Sequence, residues 1–591
     1  MVVLGISPNH DSALCIVKDG KILSAISRER ISRVKKDRYI TQKMMDYVLD
    51  HAGMTIDDID YVGITYWFEN RTTWKNEFED LKLYVDEDYM WMFSKTFDLT
   101  DDGTPAPYVE GKGYQVLTDL VLLTPPITNR PHECVPINLD IYGRTIPGWF
   151  INHHHAHAAS TYYTTNLDKA AIFTMDSTEA DPYACSLFSY GYGNKLETLY
   201  YPGVNIAHAY SVFTETLGLG PGLFKAGTTM GLAPYGKVNP DIIKDLDKYT
   251  KSYWERNEGG DDWRWIYRLF MKVTGKVITH PHPQAPMMSD NFFGAEYFNK
   301  ETSDSQEAMD AAATIQYIFE HTVFRFAQEL FEETKTINGG NLCMAGGGFL
   351  NCTTNGKIEA NTSFNTVSPY PGSGDDGLSV GCALYVSHNL LDVPRTEKTV
   401  GEVVYTGKTY PTPEGGKDLD LDFLGSQINE GKVIAWMQGG SEFGPRALGH
   451  RSFIANPCLE NTRDYINFDI KNREWFRPFA PAVCVEDVKD YFDFEGDSPY
   501  MLKICDVISD KIPSVTHVDG TSRIQTVKRE DNKDYYDLIR SFEKYSGVPV
   551  ILNTSLNLAG EPIVESPEDA FNLFNNCDVD ILVINEKMWV K

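Results

Sequence analysis

Residues 2–27 read VVLGISPNHDSALCIVKDGKILSAIS, and residues 170–201 repeat the same grammar as AAIFTMDSTEADPYACSLFSYGYGNKLETLYY. Each stretch passes from an apolar strand through a polar turn to a second apolar run, a short turn (KDG in one, YGNK in the other) and a third strand. Both polar turns carry an aspartate, Asp11 and Asp176, directly after a buried strand. Repetition of a whole strand–turn–strand–hairpin unit predicts two related α/β halves facing a shared cleft.

The clearest helical period lies at 305–334, where Met309, Ala312, Ile315, Ile318, Val323, Phe326 and Leu330 form one apolar face. It leads into NLCMAGGGFLNCTTNG (341–356), which predicts a short strand, a glycine turn and a helix start. After Asn389 the pattern changes. Residues 391–420 are rich in Pro, Gly and charge, which predicts a linker at 396–420 between a first domain, 1–395, and a second, 421–591. Two aromatic-rich stretches, about 66–135 and about 246–300, resist periodic reading and are expected to be functional insertions.

Composition narrows the function classes. The chain has 591 residues, 42% of them hydrophobic, and a net charge of −29. That apolar content excludes disorder of the whole chain. The charge argues against a protein that coats nucleic acid, though not against a local basic groove. No run reaches the length of a membrane span and the start lacks a signal-peptide pattern, so no membrane association and a cytoplasmic location are expected. Ten cysteines without a CxxC pair fit reduced thiols, with Cys15, Cys343, Cys382 and Cys484 in apolar runs.

Three constellations could carry chemistry. In NHHHAHAAS (152–160), His153 and His157 stand four apart, so on a helix both imidazoles can reach one ion. The pattern alone is weak, but Asp176 and the pair Asp375–Asp376 occupy turns after buried strands. Two imidazoles with one or two carboxylates suit iron(II), manganese or zinc. FKAGTTMGLAPYG (224–236) and AGGGFLNCTTNG (345–356) read as turns where backbone and small hydroxyls can approach a phosphate or sugar, with Lys225, Gly227, Thr228, Gly346, Gly347 and Asn351 as contacts; each could equally be a tight loop. The third constellation is a set of cations, Arg446, Arg451, Lys471, Arg473, Arg477 and Arg523, set among Gly, Pro and aromatic residues. An ion-pair network is the plain alternative; their turn context favours an anion pocket.

The markers NHDSA, RERISRVKKD, HHHAHAAS, KAGTTMGLAPYG, GDDG, GPRALGHRS, KNREWFRPFAPAV, HVDGTSRIQTV and NTSLN with GEPIVESPEDA occur in order along the chain. On them the sequence resembles the NodU/CmcH group of O-carbamoyltransferases. The resemblance implies a duplicated actin-like, ribonuclease-H-like (ASKHA, TsaD-like) domain followed by a YrdC-like twisted α/β domain, with Lys471-x-Arg473 and Ser555-x-Asn557 matching the KxR and SxN signatures. It implies that carbamoyl phosphate and ATP, with Mg²⁺, form carbamoyl adenylate in the YrdC-like part, with charge neutralised by Arg446, Lys471, Arg473 and Arg523. Arg477, Ser555 and Asn557 complete that site. The carbamoyl group then passes internally to an acceptor hydroxyl at the TsaD-like site. There the resemblance places Fe(II) or another divalent metal on His153, His157, Asp176 and Asp375. His10 is the candidate general base and Lys35 the holder of the adenylate. At Lys36 the chain departs from the family, where many members carry His.

The resemblance fixes the donor better than the acceptor. A small-molecule alcohol, a sugar or natural product docked on the insertions, is the first expectation. The alternative is a hydroxymethylated pyrimidine such as 5-hydroxymethylcytosine, in a nucleotide or viral DNA. Trp67, Trp254, Trp263 and Trp265 would stack on either, and the basic run Arg28, Arg30, Arg33, Lys35, Lys36 and Arg38 would give DNA a foothold. The oligomeric state is open, with a homodimer the assembly considered.

Overall fold

A computed structural model describes residues 1–8, 10–66, 78, 80–85, 108–116, 134–176, 185–252, 255–256, 265–274 and 303–591. The first repeat forms β1 (Val2–Ser7), β2 (Ala13–Lys18) and β3 (Lys21–Ser27), and the second forms β10 (Lys169–Met175), β11 (Ser186–Tyr192) and β12 (Lys195–Tyr200). β1 is buried at every position and β10 at all but Lys169. Such continuous burial is what parallel strands covered on both faces require.

Around the first repeat lie β4 (Tyr61–Tyr66), β5 (Leu81–Val85), β6 (Tyr108–Val109), β7 (Gly113–Val116), β8 (Cys134–Ile141) and β9 (Arg144–Asn152). Among the described residues the sheet order is β3-β2-β1-β4-β9-β8-β5-β7-β6. β13 (Asn341–Ala345) and β14 (Thr366–Pro369) complete the second sheet, β12-β11-β10-β13-β14. In each, an antiparallel three-strand meander is followed by two strands parallel to its first: β1, β4 and β9 in one, β10, β13 and β14 in the other. One topology therefore occurs twice, which is the duplicated ribonuclease-H-like, actin-like fold expected from the sequence repeat.

The C-terminal region is a mixed α/β sheet of β15 (Lys417–Asp418), β16 (Ile434–Met437), β17 (Arg451–Ala455), β18 (Ala480–Cys484), β22 (Gln525–Val527), β23 (Val550–Ser555), β24 (Ile581–Ile584) and β25 (Lys587–Val590). Their order is β15-β25-β24-β16-β17-β23-β18-β22. A small antiparallel sheet, β19 (Phe492–Asp493), β20 (Ile504–Val507) and β21 (Thr521–Arg523), accompanies it. Its core closes on Trp436, fully buried, whose indole N–H donates to the Gly449 carbonyl. Lys417 and Asp418 pair with β25, so the last residues of the Pro- and Gly-rich stretch already belong to this sheet.

By compactness the chain divides into two units. One takes in Met1–Leu123, His132–Asn166 and Tyr370–Lys591, and the other Leu167–Pro369. The first thus holds the first repeat's sheet together with the C-terminal sheets. In the second, the long helix Gln306–Thr334 is capped by Ser305, which accepts from the Ala308 N–H. All ten cysteines are free thiols, and among the described residues no helix is long and apolar enough to cross a membrane.

Candidate active site

Asn152 ends β9 and its side-chain oxygen accepts the His154 backbone N–H at 2.9 Å, starting the helix His153–Tyr162. The helical step then puts His153 and His157 on one face, with their Nε2 atoms 3.1 Å apart. A second helix, Leu378–Leu384, packs so closely that a Cβ on Gly381 would sit 1.8 Å from the Ala156 carbonyl oxygen, so only glycine permits this crossing. The turn before that helix carries Asp375. Its backbone carbonyl accepts from Ser7 Oγ at 3.0 Å, and its Oδ1 lies 3.7 Å from His153 Nε2 and 3.6 Å from His157 Nε2. All three side chains are almost fully buried. Three donor atoms 3.1–3.7 Å apart fit around one ion held at roughly 2.0–2.2 Å, and the nitrogen and oxygen donor set suits a divalent transition metal.

His10 joins this centre from the turn after β1. Its Nε2 lies 3.3 Å from Asp375 Oδ2 and its Nδ1 3.1 Å from Asp11 Oδ2. Burial pushes the imidazole pKa down, but Asp375 and Asp11 outweigh that and hold it above the ordinary value. Asp11 also receives the Lys36 ammonium at 2.8 Å. Burial alone would raise Asp11; Lys36 and His10 hold it well below the usual carboxylate range. Asp376 behaves oppositely, pushed up to about 7 by burial and by the nearby carboxylates Asp11 and Glu29.

A second cluster lies in the C-terminal region. A wide π turn, Ile466–Ile470, ends at Lys471, whose buried Nζ donates to the Ser555 carbonyl at 2.6 Å, to Ser555 Oγ at 3.1 Å and to Asn557 Oδ1 at 3.3 Å. The KxR and SxN segments, with Lys471 and Ser555 84 residues apart in sequence, therefore meet. Arg473 donates through Nε to Asn467 Oδ1 at 2.7 Å, and Arg477 lies 3.6 Å from Glu474. Burial first, and then the neighbouring cations Arg473, Arg477 and Lys35, drive the Lys471 ammonium well below the ordinary lysine value. Arg473 and Arg477 are lowered by burial and by Arg523, which ends β21. Buried cations brought this close together form an arrangement that can suit an anion.

The family models place this geometry. Residues 2–384 match the Carbamoyltransferase N-terminus and residues 425–591 the Carbamoyltransferase C-terminus. The chain belongs to the carbamoyltransferase family. It is 32% identical, over all of its length and 96% of the relative's, to an uncharacterized Synechocystis protein. It is 30% identical to the nodulation protein NolNO of Sinorhizobium fredii, over 97% of this chain and 78% of the relative. With the 3′-hydroxymethylcephem-O-carbamoyltransferase of Streptomyces clavuligerus it shares 24% identity, over 99% of this chain and 98% of that enzyme.

Several residues of this carbamoyltransferase stand differently from the sequence expectation. The stretch 224–236, read as a turn, lies largely in the helix Gly222–Leu232, so Lys225, Gly227 and Thr228 are helical. The reason is helix packing: a Cβ on Gly222 would lie 2.2 Å from the Ser211 carbonyl oxygen, and the buried Thr229 hydroxyl meets that of Thr214 at 2.7 Å. Gly227 has open space where a side chain would stand. Arg451 is no anion ligand. It is fully buried and donates to the carbonyls of Gln438, Gly439, His450 and Glu565. Arg446 lies on the loop that Glu442 folds by accepting the N–H groups of Leu448, His450 and Arg451.

Four residues of the basic run near the start make internal contacts. Arg28 pairs with Asp37, while Arg30, 3% exposed, donates to the carbonyls of Glu442, Gly444 and Val564. Arg33 donates to those of Pro562 and Ile563, and Lys36 is bound to Asp11. The Arg30 and Arg33 clamps leave no local signal in the sequence, because their acceptors are backbone carbonyls more than four hundred residues away. Trp67, Trp254 and Trp263 lie outside the described residues. Trp265 is buried, with the Arg256 guanidinium 3.8 Å from its ring centroid, which makes it a packing residue.

In the second unit, Gly346 has φ +100° and a Cβ there would lie 2.2 Å from the Met175 carbonyl oxygen. A Cβ on Gly347 would lie 3.0 Å from Asp176 Oδ1, so the glycine loop and Asp176 adjoin. Asn351 caps the following helix at the Thr354 N–H and donates to Gln316.

Proposed function

We propose that this carbamoyltransferase is an ATP-dependent O-carbamoyltransferase in which water releases phosphate from carbamoyl phosphate, the carbamate oxygen attacks the α-phosphorus of ATP with loss of pyrophosphate to give carbamoyl adenylate, and the carbamoyl group is then transferred to a hydroxyl. The observation that carries the reading is the cation cluster, where the KxR and SxN segments meet at Lys471 and where burial and the nearby charges of Arg473, Arg477 and Lys35 lower the Lys471 ammonium. Triphosphate and carbamoyl phosphate are the anions such a cluster suits, and neutralising their charge is what anhydride formation demands. Mg²⁺ would accompany ATP.

Transfer belongs to the His10 centre. The acceptor oxygen attacks the carbamoyl carbon, the bond from that carbon to the AMP phosphate oxygen breaks, and AMP leaves with the electron pair. His10 takes the hydroxyl proton. Asp375 and Asp11 orient the ring from its two nitrogens. A divalent ion, iron(II) on the family resemblance, fits His153, His157 and Asp375, with Asp176 as the proposed fourth ligand; when bound it would polarise the adenylate.

The hydroxymethyl acceptor in the name of the Streptomyces clavuligerus enzyme supports a small alcohol as acceptor, and the internal pairing of the basic run supports it over DNA. The test is to incubate the protein with carbamoyl phosphate, ATP, Mg²⁺ and iron(II) and a panel of sugars, aminoglycosides and hydroxymethylcytosine DNA. A carbamoylated small alcohol with AMP release is expected. A carbamoylated base would overturn the acceptor assignment, and transfer without ATP would overturn the adenylate.

A further inference from the structure

The segment Arg28–Tyr39 has an unusual backbone: Arg33, Lys36 and Tyr39 have φ of 62°, 53° and 74°, a left-handed conformation that side-chain-bearing residues seldom adopt. Three such residues within seven persist only when surroundings impose them. Here the surroundings are identifiable. Arg30 and Arg33 fasten the segment to the carbonyls of Glu442, Gly444, Pro562 and Ile563. Glu29 Oε2 accepts the Lys36 backbone N–H at 2.9 Å, fixing the residue from its other side. The consequence is that two adjacent lysines serve different clusters. Lys35 is in electrostatic reach of Arg477 and Lys471, whereas Lys36 places its ammonium 2.8 Å from Asp11 Oδ2.

That same oxygen, Asp11 Oδ2, is the one 3.1 Å from His10 Nδ1. A carboxylate in a short turn has free rotation about χ1 and χ2; an ammonium clamped by a strained, anchored backbone removes that freedom. We propose that Lys36 is a positioning residue of carbamoyl transfer, holding Asp11 against His10 Nδ1 and so fixing the orientation of the ring whose Nε2 lies at the Asp375 side of the centre. The inference rests on the transfer role of His10 given above. Lys36 touches neither the donor nor the acceptor in this scheme; it acts through Asp11. The ammonium, not the chain length alone, does the holding, because Asp376 is a carboxylate in electrostatic reach of Asp11 and the Lys36 charge offsets that repulsion.

The experiment compares two half-reactions in the full-length protein, pyrophosphate release from ATP and carbamoyl transfer to acceptor. Lys36→Met should lower kcat of transfer at least tenfold, leave the acceptor KM within twofold and leave pyrophosphate release unchanged. Lys36→Gly is the second variant, since glycine relaxes the left-handed backbone and keeps the fold. It should show the same split, and added ethylammonium should restore part of the transfer rate. Lys36→Arg should retain more transfer than either. Unchanged transfer in Lys36→Met and Lys36→Gly, or an equal fall in both half-reactions, would overturn the proposal. His10→Ala in the same assays separates the two readings: if it transfers normally, the role of His10 fails, and if it alone loses transfer, only the role of Lys36 fails.

Discussion

Lys471 and Lys36 are both lysines held by oxygen atoms inside the first unit, yet their ammonium groups are moved in opposite directions. Lys471 faces neutral oxygens, the carbonyl and hydroxyl of Ser555 and the amide of Asn557, with burial and the cations Arg473, Arg477 and Lys35 lowering it. Lys36 faces Asp11, with Asp375 and Glu29 behind it; burial works against its charge and these carboxylates outweigh it. The difference teaches what each region lacks. One lysine is unbalanced in that its charged neighbours are cations, the arrangement an incoming anion would suit, and the other ammonium is balanced by the carboxylates about it. Lys471→Ala strikes the unbalanced region and has the largest expected effect. ATP consumption with carbamoyl phosphate should fall about 10³-fold, as for loss of one preorganised charge contact to a transition state. Normal AMP or pyrophosphate release in that variant would sink the anion pocket.

The balanced region should fail differently. Replacing both His153 and His157 by Ala should strip bound iron or zinc, measured by elemental analysis after dialysis, and lower transfer at least about 10²-fold. Adenylate formation should survive, because the cation cluster uses neither residue. Equal loss of both activities would abolish the division of labour. Asp176→Asn adds a narrower question: unchanged metal content would remove it from the ligand set.

The two regions also differ in how much of them the sequence displayed. The duplicated sheet was legible because each strand of the repeat is a continuous apolar run bounded by turn residues, and the His153–His157 pair because helical spacing is local. Lys471-x-Arg473 and Ser555-x-Asn557 were legible as motifs, and their meeting is made by the Lys471 ammonium, which follows the π turn and reaches Ser555 at the end of β23. The glycines of 222–232 misled, since glycine serves close helix packing as readily as a turn, and only the Ser211 carbonyl distinguishes the two. Hidden altogether were contacts whose partner is a backbone carbonyl, as for Arg30, Arg33 and Arg451, because a carbonyl has no sequence signature.

Glycine substitutions give a smaller, structural contrast in the second unit. Gly346→Ala forces a Cβ against the Met175 carbonyl at an unfavourable φ and should cost at least about 2 kcal/mol in urea unfolding. Gly227→Ala lies in a helix with open space and should stabilise by about 0.5–1 kcal/mol with unchanged ATP kinetics. A raised ATP or carbamoyl phosphate requirement in Gly227→Ala would instead return that helix to the cofactor site.

The smallest effect is the most direct reading of the charge imbalance. Because the folded Lys471 ammonium titrates well below the unfolded value, the unfolded chain binds more protons between those two values, and stability of the free protein rises with pH across that window. An anion bound at the cluster favours the charged form and lifts the Lys471 pKa back. Binding of pyrophosphate should therefore take up a fraction of one proton per molecule within the window, and it should flatten the pH dependence of stability. Calorimetric titrations in two buffers of different ionisation enthalpy measure the uptake. Lys471→Met should remove it while Lys36→Met keeps it, since Lys36 is already held in its charged form by Asp11. Proton release on pyrophosphate binding, or uptake that persists in Lys471→Met, would show that the imbalance lies elsewhere than at Lys471.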